Sequence, residues 1–270
     1  MVITPLKISE LKSFFNQKAM ATIDYFISKA MFAQPELMPG QDPNPIHVPK
    51  EHIEQWIVQA LGVAPVGSGS YPVDVIKNNE WGADVKMLSC KVDAGGNLRN
   101  SDSGETSLAQ KFTDTGSDLD TLFKGKKYDI IIDGFKEILK NKLSKVIKEK
   151  KINDIYYFII LRAEQKFYLC GMSVDIGEIE NVEVQKSSDQ SVWTKYFINE
   201  KYGSVKIYKA KKRMELRLRP KKWFVEGLLL EIQIHGNVPE KNIIDIISDE
   251  NKISKHIRFL YKSNFKSIDE

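Results

Sequence analysis

The chain is poor in the residues that staple small proteins or hold soft metals. It has two cysteines, Cys90 and Cys170, each inside an apolar strand-like run. That is too few for a disulfide scaffold, and both read as buried free thiols in a reducing cytoplasm. The four histidines, His47, His52, His235 and His256, show no metal-ligand spacing, which argues against a zinc finger or a zincin. No apolar run approaches the roughly 18 residues of a membrane span, and residues 1–12 lack the layout of a signal peptide, so no membrane partner is expected. Gly-x-Gly-x-x-Gly between a strand and a helix is missing, which argues against a dinucleotide-binding fold. Gly67-Ser68-Gly69-Ser70 lacks the Gly-Lys-Ser/Thr ending of a P-loop and reads as a turn. Internal repeats and low-complexity tracts are absent as well.

What is present is an ordinary globular composition, 42% hydrophobic and 28% charged, that hides an asymmetry. Residues 1–120 carry 10 Lys/Arg and 15 Asp/Glu, while residues 121–270 carry 30 and 21. A net −5 thus faces a net +9. A basic half suits a polyanion, and an acidic half suits a cation that works on it. Solvated lysine-rich helices give the same totals.

Hydrophobic periodicity predicts one long or two short helices over 8–34, a proline-rich loop, and a helix over Lys50–Leu61 capped by Gly62. Strand-like runs at 71–76 and 83–92 flank a turn and read as a hairpin. A short helix is expected around 106–112, and an amphipathic basic helix over 128–148. Strands follow at Asp154–Ala163, Lys166–Val174, 204–218 and 225–234. The stretch 193–197 is ambiguous, and helix closes the chain over 239–261. The order predicts an α/β fold, a mixed central β-sheet flanked by helices. Residues 1–49 form an N-terminal helical region with its proline-rich loop, and residues 50–270 an α/β core with a basic C-terminal part.

The stretch Tyr71-Pro72-Val73-Asp74-Val75-Ile76, followed by Gly82-Ala83-Asp84-Val85-Lys86-Met87-Leu88, carries the chemistry. Residues two apart on a strand share a face, so Asp84 and Lys86 point one way while Val85 and Met87 point the other. A carboxylate and an ammonium in an apolar strand are costly to bury without partners. Closing the hairpin brings Asp74 near Asp84, and two converging carboxylates repel unless a cation sits between them. Hard oxygen ligands suit Mg²⁺. Lys86 would then hold or activate the attacking water, or stabilise charge on a phosphate. Asp/Glu-x-Lys occurs five times in the chain, at Glu10, Asp84, Glu149, Glu164 and Glu250. Asp154 precedes Glu164 at the same ten-residue offset, but an unbroken strand would keep those two about 30 Å apart. A wet hairpin with a surface Asp–Lys pair remains the plain alternative.

Pro72-x-Asp74, nine intervening residues and Asp84-Val85-Lys86 resemble the PD-(D/E)xK nuclease superfamily, the fold of many type II restriction endonucleases. Val73 stands between the proline and the aspartate, a departure from the plainest motif. The likeness covers about 16 residues closely and about 50 loosely. It implies a restriction-endonuclease-like fold and Mg²⁺-dependent hydrolysis of phosphodiesters. It further implies Asp74 and Asp84 as metal ligands with the Val85 carbonyl, and Lys86 as the catalytic lysine. The family often adds a glutamate from the preceding helix; Glu54, at the border of the apolar stripe, is the candidate.

Ser107, Gln110 and Lys111 are candidates for DNA contact downstream of the catalytic strand. The segment 204–222 holds nine basic residues against one acid, Glu215. Alternation there puts Met214, Leu216 and Leu218 inward and Arg213, Glu215, Arg217 and Arg219 outward, and the arginines suit phosphates or guanines. A sheet edge guarded by charge would look the same. The expected activity is cleavage of double-stranded DNA at a specific short site, with a homodimer if that site is palindromic. A repair or junction nuclease of the same fold, and a non-catalytic nucleic-acid-binding module, are the alternatives.

Overall fold

The first helical stretch breaks at Asn16. Helix α1 (Ile8–Phe14) ends there, and Asn16 Oδ1 accepts the Ala19 N–H at 3.0 Å to cap α2 (Gln17–Phe32). Helix α3 (Lys50–Leu61) stops at Gly62, whose left-handed φ of 63° lets its N–H return to Val58 O. The computed structural model describes residues 1–42, 46–66, 71–99, 103–112, 118–234 and 240–265. The Gly67–Ser70 turn, His235 and Pro239 lie outside them.

Strand β1 (Ile3–Pro5) precedes α1, and β2 (Ala64–Pro65), β3 (Val75–Lys77) and β4 (Trp81–Ser89) follow α3; β3 and β4 form a hairpin, with 71–74 outside the strand expected over 71–76. A Cβ on Gly82 would lie 2.8 Å from Ile152 Cδ1, so the strand enters the core bare at that point. Beyond β4 run β5 (Glu105–Gln110), α4 (Leu119–Lys124) and α5 (Tyr128–Lys150). Helix α5 is the crossover to β6 (Asp154–Ala163), which lies parallel to β4, and β7 (Lys166–Val174) returns antiparallel. Then come β8 (Glu183–Ser188), β9 (Ser191–Lys195), β10 (Gly203–Tyr208), β11 (Arg213–Leu218), α6 (Pro220–Val225), β12 (Leu230–Ile232), α7 (Ile244–Ile247) and α8 (Glu250–Phe265).

The molecule is mixed α/β, with a mixed central sheet flanked by helices. Its seven strands run β1-β7-β6-β4-β3-β2, with β12 on the same edge of β7 as β1. A second sheet of five antiparallel strands runs β5-β11-β10-β9-β8. One face of the central sheet, with Val75, Ala83 and Val85, packs on α1–α3 through Ile23, Ile53 and Ile57. The other face, with Leu88, Tyr157 and Ile159, meets α5 and the apolar side of the second sheet through Phe135, Leu139, Leu216 and Leu218. Each fully buried aliphatic chain contributes about 1.5–3 kcal/mol, so both layers fix the strands between them.

Four expectations are corrected. Residues 105–110 are strand, not helix, because Thr106 and Leu108 turn into the core while β5 pairs with β11. The segment 204–218 is two strands joined through Lys212, whose φ is 50°. Only Leu230–Ile232 of 225–234 is strand, since Pro220 starts a helix just before it. Glu215 is buried rather than outward, because its face of the second sheet forms the wall of a cleft. The ambiguous 193–197 stretch is partly β9.

Candidate active site

Strand β3 has three residues and β4 has nine, so most of one β4 edge has no strand beside it. Asp74 sits where that ladder ends. Its N–H donates to Ala83 O at 2.8 Å, and its Oδ2 accepts the next edge-facing amide, Val85 N–H, at 2.7 Å. The side chain thus replaces a missing strand and leaves the Val85 carbonyl unused by the sheet. Lys86 takes it: its Nζ donates to Val85 O at 3.0 Å, to Asp74 Oδ2 at 3.1 Å and to Asp84 Oδ1. Three oxygens from three residues converge on one cationic atom.

These groups are mostly shielded, with side-chain exposures of 14–20%. Burial pushes the Asp84 carboxyl up to about 7; Lys86 pulls it down, and the neighbouring Asp74 pushes it further up. Burial also works against the Asp74 charge, but hydrogen bonding with Asp84, the Lys86 charge and the Val85 N–H hold that carboxyl below its ordinary range. For Lys86, desolvation is outweighed by its two carboxylates, and the net direction is up. Tyr157, opposite Asp84 on β6, has its phenol raised by burial and by that carboxylate.

The cluster lines a cleft of about 580 Å³ between the open edge of β4 and the second sheet. The chain enters the second sheet where Gly104 N–H donates to Ser89 O at 2.8 Å, so the sheets diverge from the end of β4. On the far wall Lys211 Nζ donates to Glu105 Oε2 at 2.7 Å and to Glu215 Oε2 at 2.8 Å. Arg217 Nη2 donates to Glu105 Oε1 at 2.7 Å, and the Tyr208 hydroxyl donates to the same oxygen. Burial disfavours the Glu105 charge, but Lys211 and Tyr208 dominate and hold that carboxyl down at about 2.

Helix α5 adds Lys142 to the lining. Burial, with Lys86 nearby, lowers its ammonium against the pull of Asp84 and Asp74. It makes no hydrogen bond or ion pair among the described residues. Sequence reading missed it, although a signal existed. Phe135, Leu139, Lys142 and Val146 follow a four-three-four spacing, and a lysine in such a stripe faces inward.

Asp74, Asp84, Lys86 and the Val85 carbonyl are brought together. Ser107, Gln110 and Arg213 line the same cleft. Glu54 does not join them: α3 packs on the opposite face of β4 from Asp84 and Lys86, and Glu54 is not part of the cleft lining. Lys111 lies just past β5 with a left-handed φ of 67°. Arg217 is committed to Glu105, and Arg219 stands beyond the strand at the start of α6. Asp154 and Glu164 fall at opposite ends of β6.

Among the described residues no third carboxylate, histidine or cysteine completes a metal-holding group. Asp74 Oδ2, Asp84 Oδ1 and Val85 O are hard oxygen donors already gathered around one positive atom. That set fits Mg²⁺, which takes one or two carboxylates and keeps several waters. Both cysteines are free, and no helix among the described residues is long and apolar enough to cross a membrane. Comparison with known proteins returned no matching family model, no matching curated protein and no matching solved structure.

Proposed function

We propose that the chain is a metal-dependent endodeoxyribonuclease of the PD-(D/E)xK kind, a type II restriction endonuclease acting on a short site in double-stranded DNA. The observation that carries this is the convergence of Asp74, Asp84 and the Val85 carbonyl on Lys86 Nζ inside a cleft. Asp74, Asp84 and Val85 O would hold Mg²⁺, which supplies charge stabilisation at the phosphoryl group and makes water a better nucleophile.

The residues themselves do the positioning. Hydrolysis adds water to phosphorus, breaks one P–O ester bond and returns a proton to the leaving alkoxide. With Asp74 and Asp84 as the residues that would hold the metal, Lys86 Nζ would be the donor that holds the attacking water by a hydrogen bond. Lys142 Nζ, across the cleft, offers a positive charge to a non-bridging phosphate oxygen. Ser107, Gln110 and Arg213 stand along the cleft, where the flanking backbone would pass.

The test is incubation of supercoiled plasmid with the purified chain in Mg²⁺. Discrete fragments are expected. A smear, or preference for branched substrates, would move the reading to a repair nuclease. No cleavage with any divalent metal would overturn it.

A further inference from the structure

The polar face of the second sheet carries an alternating series of cations and rings. Lys186, Trp193 and Lys206 stand directly opposite one another on β8, β9 and β10. Lys186 Nζ lies 4.8 Å and Lys206 Nζ 4.2 Å from the Trp193 ring centre. Lys206 also lies 4.3 Å from the Tyr208 ring, and Lys211 lies 4.6 Å from it. The series runs Lys186, Trp193, Lys206, Tyr208, Lys211. Lys211 and Tyr208 then touch Glu105, which lines the cleft. So the ladder is continuous with the candidate active site.

Such a face is hard to explain as a guarded edge. The ladder crosses the interior strands β9 and β10, whose edges are already paired. Neither Lys186 nor Lys206 has a carboxylate within ion-pair distance among the described residues. Burial, then Arg217, Lys186 and Lys211, draw the Lys206 ammonium below its ordinary range against the attraction of Glu105. Glu105 and Glu215 on this face are taken by Lys211 and Arg217, which leaves Lys186 and Lys206 as the ladder's cations without an ion pair among the described residues. From β8 to β10 the ladder spans about 10 Å, and a nucleic-acid strand places one phosphate per roughly 3.4 Å of axis. Lysines parked on ring faces can swing to phosphates and leave the rings free to pack on the sugars of the backbone.

We propose that this face carries the DNA duplex as it leaves the cleft, with Lys186 and Lys206 on phosphates and Trp193 packed against the strand. The placement rests on the nuclease reading, but the binding does not. The test uses the full chain, a fluorescein-labelled DNA duplex in Ca²⁺, and anisotropy across a salt series. Lys186→Gln combined with Lys206→Gln should weaken binding and reduce the slope of log affinity against log salt by about two. Trp193→Ala should weaken binding with the slope unchanged, since it removes contact and no charge. Lys12→Gln with Lys18→Gln, on the N-terminal helices, should match wild type. An unchanged slope in the ladder variant, or an equal loss in the control, overturns the proposal, and so does a wild type that binds no duplex. Ladder-dependent binding without cleavage in any metal would remove the nuclease reading and keep the ladder. Cleavage by a chain whose ladder variant binds normally would do the reverse.

Discussion

Two lysines, Lys86 in the cleft and Lys211 beside its far wall, each lie between two carboxylates, and the two clusters differ in their shielding and in their further partners. Lys86 joins Asp74 and Asp84 on the central sheet; Lys211 joins Glu105 and Glu215 on the second sheet. The Lys211 cluster has more cationic and hydroxyl partners, although burial still pushes its Glu215 carboxyl up. Arg217 and the Tyr208 hydroxyl add to Glu105, the lysine is 47% exposed, and Glu105 is held down at about 2. The Lys86 cluster is the more deeply buried, with Lys142 the other ammonium of the cleft. One buried ammonium serves two carboxylates and a carbonyl, and Asp84 is pushed up to about 7. A divalent cation would offset the burial of Asp74 and Asp84, whereas Glu105 already has Lys211, Arg217 and Tyr208 on its oxygens. The same residue types thus make a candidate reaction centre on one wall and a structural clamp on the other.

The largest break in that comparison is removal of the central cluster. Asp74→Ala and Lys86→Ala should each cut Mg²⁺-dependent cleavage by on the order of 10³-fold or more, with duplex binding in Ca²⁺ retained. Near-wild-type cleavage by either variant would return the role to another group. Next comes the unpartnered lysine. Lys142→Ala should lower kcat about 10²-fold at saturating metal and DNA, with partial recovery in Lys142→Arg. If Lys142 only offsets the carboxylates, its loss should instead tighten metal binding and leave kcat alone.

A smaller effect sharpens the electrostatic side. Folded Asp84 holds a proton up to about pH 7, whereas the unfolded chain releases it near 4. The folded state therefore binds more protons across that window, and metal-free stability falls as pH rises from about 4 through about 7. The Asp74 and Lys86 shifts act below and above this range. Melting temperature without metal should decline from pH 5 to pH 8, and Asp84→Asn should flatten the decline. An identical decline in the variant would remove Asp84 as its source.

The central cluster was legible because its rules are local. Period two put Asp84 and Lys86 on one face, and one turn brought Asp74 to them. The rest depended on contacts far along the chain. Leu108 and Phe112 are four apart and imitate a helix, but β5 is held by β11 about a hundred residues on. The alternation at 213–219 was read correctly for Met214 and Leu216, yet what faced outward was a cleft wall. There Glu105 neutralises Arg217 from 112 residues away. Glu54 failed because periodicity gives the buried stripe of a helix and not which side of the sheet it covers. Lys142 broke an apolar stripe in plain view, and only the cleft gives that position a meaning.

The most direct test is Mn²⁺ binding to the DNA-free chain at pH 8, followed by electron paramagnetic resonance, in wild type, Asp74→Asn and Glu215→Gln. Binding should occur in wild type, vanish in Asp74→Asn and persist in Glu215→Gln. Binding that survives Asp74→Asn, or is lost in Glu215→Gln, would contradict the assignment of the two walls.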